Sequence, residues 1–355
     1  MIKKLLVFLL LITSGILVAQ ETYYNGVDFS LNGMALKAVL SAKISSNNTP
    51  LPYTSSSYDV WNADKDSDED PNNTNNVILI YNGQSEPKTN TEGDDNIGTY
   101  PKIWNREHVF PKSLATPKLN TDNPGPGTDM HNIRACNKTV NTARDNAKFI
   151  DGSGSYSGNT TYWYPGDEFK GDVARMVMYM YLRYDGNGSS IAETQCLPKN
   201  VGVGNPVSND SNMIDLFLQW NADDPVSEIE RQRNVISEEK QGNRNPFIDN
   251  PYLATKIWGG PAAEDTWGTL GTEELLLADF HVFPIPSYNH SIVIESDKEA
   301  ITEVKLYNSL GQLFLTYKSL DKNNKPIILD NLPSGFYVLK MYADKGMAST
   351  RVVVH

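Results

Sequence analysis

The texture of this chain changes near residue 283. From there to the end, apolar residues fall in short alternating runs, "HSIVIES", "ITEVKLYNSLGQLFLTYKSL", "KPIILDNLPSGFYVLKMYAD" and "MASTRVVVH". Between them sit "SLG", "DKNNK", "LPSG" and "ADKG", the chemistry of tight turns. Alternation with period two puts neighbouring side chains on opposite faces of a strand. The pattern predicts a small antiparallel β-sandwich of about six or seven strands. It holds no Cys and no His/Asp cluster, so a stable appendage without catalysis is expected. Upstream the periodicity is helical, so the 355 residues divide into more than one folding unit.

The opposite end reads "MIKKLLVFLLLITSGILVAQ". Two lysines, an apolar run from Leu5 to Val18 and small or polar residues at Ala19 and Gln20 predict a signal peptide over 1–20. The run is shorter than the ~20 residues a membrane span needs. No Cys follows it, so no lipid anchor is expected there. No second apolar run has spanning length, and no coiled-coil heptad is present. The mature chain is therefore expected to be soluble and monomeric. Removing Lys3 and Lys4 takes the formal charge from −12 to −14. The overall field of so acidic a chain does not hold nucleic acid, so any such chemistry needs a local site. Residues 51–99 carry two basic and ten acidic side chains, whereas 100–260 carry seventeen and nineteen. Two cysteines exclude a disulfide scaffold and a four-thiolate zinc site. Export leaves two readings of Cys136 and Cys196: a bridge or two buried thiols.

Residues 21–261 read as an α+β domain, mostly helical with a small sheet. Helices are expected over Gly33 to Ser45, with Leu36, Val39, Leu40 and Ile44 on one face, and over Gly171 to Tyr184, with Val173, Met176, Val177, Met180 and Tyr181 facing a core. Two more flank a turn at 223–225, where Asp224 can cap and Pro225 can take the first helical position. Val77 to Gly83 reads as a buried strand. Residues 262–282 read as a connector with a short helix near 273–278.

Chemistry concentrates in "IWNREHVFPKS" (103–113) and "DMHNIRACNKTVNTARDNAKF" (129–149). On a strand, Glu107 and His108 face opposite sides. They suit a division of labour in which a carboxylate holds a hard cation and an imidazole activates water. There is no "HExxH", which argues against a zinc protease. The stretch 137–149 can be helical, with Asn137, Asn141, Arg144 and Lys148 on one face. An Asn carbonyl and a carboxylate are the hard oxygens that Mg²⁺ or Ca²⁺ prefer, and an Arg can clamp phosphate. Together they describe metal-assisted phosphodiester hydrolysis. Two other readings are a metal phosphomonoesterase, whose sites gather more His and Asp ligands, and a calcium-dependent extracellular binding or adhesion module. The second draws on "DKDSDED", where Asp64, Asp66, Asp68 and Asp70 could hold calcium or form a solvated acidic turn.

"NREHVFPKS" followed by "DMHNIRACNKTVNTARDNAKF" resembles the endonuclease I family of exported bacterial nucleases. The resemblance extends to "YYNGVDFSLNGMALKAVL", "YDVWNADKDSDEDPNNTNNVILIY", "GDVARMVMYM" and "GNRNPFIDNP", and covers about 22–261. It implies a ββα-metal core of two strands and a helix gripping one divalent cation, Mg²⁺ with Mn²⁺ or Ca²⁺ as alternatives. It also implies nonspecific cleavage of DNA, and often RNA, through backbone contacts to 5′-phosphate ends. Carried over, Glu107 is similar to the first metal ligand, His108 to the general base, and Asn141, ten residues after His131, to the second metal ligand. Asp129, His131, Asn132, Arg134 and Asn137 take supporting roles. Better-studied periplasmic members have many disulfides and a phosphate-contacting Arg between the two motifs. Here "LATPKLNTDNPGPGT" has no Arg, so that role falls to Arg144 first, Arg106 second, or Lys112. The last seventy residues, with "FPIPSYNHSIVI", "VKLYNSLGQ", "LPSGFYVLK" and "RVVV", resemble the C-terminal sorting domain of Bacteroidetes type IX secretion substrates over about 283–355. Ile285 stands where that family commonly has Asn, and His355 follows the usual end. This resemblance implies the type IX machinery as a partner and export through the periplasm to a secreted or cell-surface-attached state.

Overall fold

The computed structural model describes residues 22–94, 100–185, 194–267, 280–296, 300–308, 312–318, 326–343 and 346–355. The expected signal peptide and the expected helix near 273–278 lie outside them. The chain divides into two compact units, the first running to Trp267 and the second from Gly268.

In the first unit the helices are α1 (Gly33–Ser45), α2 (Val60–Ser67), α3 (Lys138–Arg144), α4 (Lys170–Arg183), α5 (Pro198–Val201), α6 (Asp215–Asp223), α7 (Glu228–Gln241), α8 (Pro246–Asp249) and α9 (Tyr252–Trp258). The strands are β1 (Glu69–Asp70), β2 (Asn73–Ile78), β3 (Ser85–Pro87), β4 (Trp104–His108), β5 (Ile133–Asn137), β6 (Lys148–Phe149), β7 (Ser157–Gly158), β8 (Tyr162–Tyr164), β9 (Pro206–Val207) and β10 (Asp210–Ile214). Most are two or three residues long, which explains why alternation did not reveal them. The strand expected at 77–83 ends at Ile78; the backbone then touches β5 at Ile80 and turns.

Helix α1 buries Leu36, Leu40 and Ile44, as its spacing requires. Helix α4 is buried on every side, from Gly171 to Arg183, and forms the axis of the unit. Its amphipathic reading was too narrow: Arg175 and Arg183 are buried with it, Arg175 on Glu230 at 2.6 Å. Helix α7 is capped by Ser227, not Asp224. Ser227 accepts from Glu230 N while the Glu230 carboxylate accepts from Ser227 N, a reciprocal capping box. Asp224 instead accepts from Gly171 N at the start of α4. Residues 262–267, read as connector, are tied to the first unit. Trp267 packs on Tyr24 and Phe29, and Tyr252 N donates to Glu264 O.

Cys136 and Cys196 are free and buried, which overturns the bridge reading. The Cys136 thiol lies against the carbonyls of Ile80 and Asn137, while Cys196 N is tied to Tyr184 O. A melting temperature unchanged by dithiothreitol is the expected result; a fall of several degrees would restore the bridge.

The second unit is an all-β sandwich. One sheet has β11 (Phe280–Phe283), β12 (Ile292–Ser296) and β15 (Ile327–Leu329) in the order β11-β12-β15. The other has β13 (Ile301–Asn308), β14 (Leu313–Lys318), β16 (Gly335–Ala343) and β17 (Gly346–Val354) in the order β14-β13-β16-β17. The strands within each sheet pair antiparallel, and a parallel bridge joins Ser287 to Val354 of β17. The period-two pattern holds: Val304, Leu306, Leu339 and Met341 point into the core, and Glu303, Lys305 and Lys340 do not. His355, the residue beyond the usual finish, is held by its N–H on Ser287 O.

Candidate active site

Strands β4 and β5 pair antiparallel, with Glu107 opposite Arg134 and His108 opposite Ile133. β5 runs directly into α3, whose first turn is capped by Asn137 accepting from Thr139 N and Val140 N. The helix is shorter than expected. Asp145 turns to φ 52°, and Lys148 lies in β6, so Lys148 does not share the helix face.

Alternation sorts the side chains of β4. Asn105 and Glu107 face α3. Arg106 and His108 face the other side, where the Tyr53 ring meets both, 3.4 Å from the Arg106 guanidinium and 5.8 Å from the imidazole centre. Glu107 is buried, and its Oε1 accepts from Tyr81 Oη at 2.8 Å and Arg144 Nη1 at 2.7 Å. Burial raises the Glu107 pKa, while Arg144 and Tyr81 oppose that rise. Asn141 Nδ2 donates to Asn105 Oδ1 at 2.8 Å and to Arg106 O at 3.3 Å.

His108 Nε2 lies 2.8 Å from the carbonyl of Gly127. A carbonyl only accepts, so Nε2 carries the proton and Nδ1 keeps a lone pair. Burial pushes the imidazole pKa down to about 4; the Gly127 carbonyl opposes this, and Lys112, Arg106 and Arg144 add to it. At neutral pH the ring is an uncharged base. Gly127 is required there, because a Cβ would fall 1.8 Å from Asn120 O. Asn132 secures the end of β4: its amide takes Phe110 N at 2.7 Å and donates to Phe110 O at 3.1 Å.

Arg144 is not a phosphate clamp. Its side chain is fully buried and spent on Glu107, His108 O and Val109 O. Arg106 is half-buried, bonded to Tyr53 O and Thr54 Oγ1 and stacked on Tyr53 and Trp61. Lys112 is exposed on the short turn Lys112–Leu114 after β4. Asp129 is a buried hub that accepts from Tyr179, Tyr184, Gln241 and His131 N. The His131 ring packs on Tyr179 and bonds Asn243 O; it belongs to that hub. Arg134 is buried between Asp68 and Asp172.

The acidic stretch does not form a calcium loop. Asp64 and Asp66 lie within α2, and Asp66 accepts from Tyr58. Asp68 is consumed by Arg134 and Arg233, and Asp70 accepts from Ser85 and Asn72 N. Among the described residues no group of three or more His, Cys, Asp or Glu is placed to hold a metal. The pair at the β4–α3 junction fits a hard cation nonetheless. Tyr81 and Arg144 take Oε1 of Glu107, leaving Oε2. Asn105 and Arg106 O take Nδ2 of Asn141, leaving Oδ1. Two oxygen donors suit a cation such as Mg²⁺ that keeps most of its water.

Sequence reasoning missed three residues of this site. Tyr81 and Gly127 come from turns remote from β4, and Asn105 passes for a surface polar residue.

The antiparallel pair β4–β5 and helix α3 thus carry a carboxylate, an amide oxygen and a neutral imidazole, groups able to hold a hard cation and to accept a proton from water. The endonuclease I family pattern matches residues 32–252, and the secretion system C-terminal sorting domain pattern matches 281–355. The chain belongs to the endonuclease I family and ends in a secretion sorting domain. It is 42% identical over 248 residues to the extracellular ribonuclease of Bacillus subtilis (strain 168), covering 67% of this chain and 78% of that one. It is also 42% identical over 245 residues to the extracellular ribonuclease of Bacillus amyloliquefaciens, with the same coverage. Its activity is hydrolytic and of the nuclease type, in a family that is generally metal-dependent, and its location is secreted or surface-attached. No helix among the described residues is long and apolar enough to cross a membrane.

Proposed function

We propose that this protein is an extracellular endonuclease that hydrolyses RNA and DNA to 5′-phosphate ends, with Glu107 and Asn141 holding one divalent cation and His108 as general base. The observation that carries this reading is the tautomer of His108. Its Nε2 proton is fixed on Gly127, so Nδ1 is a free base on the strand that carries Glu107. Both ribonuclease relatives support RNA as a substrate. DNA enters because the base acts on water and no 2′-hydroxyl is needed.

His108 Nδ1 takes a proton from water as its oxygen bonds to phosphorus, and the bond to the 3′ oxygen breaks. That oxygen leaves and is protonated by solvent. A cation bound at Glu107 and Asn141 would supply charge neutralisation at the phosphate and at the leaving oxygen. Arg106 and Lys112, whose charges act on His108, have solvent access, and they take the phosphate-contacting role in place of Arg144. No group here is aimed at base edges, so little sequence preference is expected. The residue spans 21–261 and 283–355 serve as nuclease and sorting domains, the latter engaging the type IX machinery.

RNA products settle the chemistry. Water attack leaves 5′-phosphates and 3′-hydroxyls, whereas 2′,3′-cyclic phosphates would mean attack by the 2′-hydroxyl and overturn the reading. Lys112→Ala is expected to weaken DNA binding at low salt and to reduce the slope of log affinity against log salt by about one. An unchanged slope removes Lys112 from the phosphate contacts.

A further inference from the structure

Each side chain assigned to the cation is gripped on one of its polar atoms by a neighbour. We propose that Tyr81 and Asn105 are positioning residues that fix which oxygen Glu107 and Asn141 turn towards the cation; the inference rests on the cation reading above.

A free carboxylate can rotate and exchange its oxygens. Glu107 cannot, because Oε1 accepts from two immobile donors. Arg144 is locked by two further carbonyls. Tyr81 is locked by its backbone. Ile80 N donates to Ala135 O on β5 at 2.9 Å, Leu79 N to Gln84 O at 2.9 Å, and Gly83 N to Leu79 O at 3.0 Å. Within that turn Tyr81 sits at φ 75°, a conformation that bulky residues seldom adopt. Such strain persists only where the surroundings impose it. Here they include Trp163, edge-on to the Tyr81 ring at 5.7 Å. The buried phenol thus reaches Glu107 from a fixed point.

Asn141 faces a different ambiguity. A terminal amide presents oxygen or nitrogen in nearly the same shape. Asn105 Oδ1 and Arg106 O both accept, so they draw Nδ2 and turn Oδ1 away. Asn105 and Glu107 are two residues apart on one face of β4, so a single strand carries one cation-holding group and the residue that orients the other. Removing an outer partner of a metal ligand typically costs 10- to 100-fold in affinity.

The test is Mn²⁺ titration of the EDTA-stripped full chain without nucleic acid, followed by calorimetry. Tyr81→Phe and Asn105→Leu should each weaken Mn²⁺ binding 10- to 100-fold while melting in EDTA within a few degrees of the parent. Asn105→Asp keeps the acceptor for Asn141 Nδ2 and should bind within about threefold of the parent. Parental affinity in Tyr81→Phe and Asn105→Leu overturns the proposal and leaves the nuclease reading intact. If Tyr81→Phe does not fold, the Leu and Asp pair at Asn105 decides. A parent that takes up no Mn²⁺, or whose uptake survives Glu107→Ala, overturns the cation reading and this proposal with it.

Discussion

His108→Ala should lower turnover of both plasmid DNA and RNA by two to four powers of ten, the range a positioned general base contributes. The size follows from the state of the ring. An imidazole that is buried, uncharged and held by Nε2 on Gly127 has no freedom except to accept a proton at Nδ1. Water is a poor nucleophile without that acceptor, and the other His of the first unit, His131, is bonded to Asn243 in the Asp129 hub. The variant should still fold. Its main structural cost is an orphaned Gly127 carbonyl, about 1–3 kcal/mol. His108→Asn, closer in volume, should be equally slow and lose less stability. Initial rates with Mg²⁺, beside circular dichroism and melting curves, separate the two effects. If either folded variant keeps more than a tenth of parental turnover, His108 is not the base.

Legibility followed distance along the chain. Glu107 and His108 are adjacent, and Asn137 leads straight from β5 into α3, so the unit could be read from two short segments. The sandwich was legible because period two is local. The partners that tune the site were not: Tyr81 is 26 residues from Glu107, and Gly127 is 19 from His108. Arg144 shows the same limit. Its spacing from Asn137 and Asn141 gives a polar helix face, and a polar face reads as solvent-exposed. The helix instead lays Val140 and Arg144 against the sheet, where Glu107 and two carbonyls satisfy the guanidinium. The acidic stretch misled in the opposite direction. Its one basic neighbour, Lys65, pairs with Asp94, and the fold supplies Arg134 and Arg233 to Asp68 from 66 and 165 positions away.

That network carries the second large effect. Asp68→Ala should destabilise the first unit by about 3–5 kcal/mol, the cost of removing one partner from a buried ion pair. Asp68 is fully buried; Oδ1 lies 2.7 Å from Arg134 Nε and 2.6 Å from Arg233 Nη1, and Oδ2 accepts from Ala135 N at 2.7 Å. Arg134 retains Asp172 at 2.9 Å. Arg233 retains Ser67 Oγ and the carbonyls of Met130 and Ile133 as acceptors, with the buried Asp64 carboxyl as its remaining acidic neighbour. The substitution therefore strips a buried guanidinium of its ion-pair partner and frees an amide of β5, the strand that holds β4 in register. For a unit of this size the melting temperature should drop by about 6–20 °C. Asp66→Ala, which loses one half-buried bond to Tyr58, should cost about 1 kcal/mol. Urea melts in EDTA and in excess Ca²⁺ provide the measurement. The ion-pair account requires a large loss at Asp68, a small one at Asp66 and no response to calcium in the parent. Equal losses at the two positions, with calcium stabilising the parent, would instead mean that these aspartates serve a cation. Because Ala135 lies opposite Arg106, one residue from Glu107, Asp68→Ala should also slow cleavage at temperatures well below its own melting point.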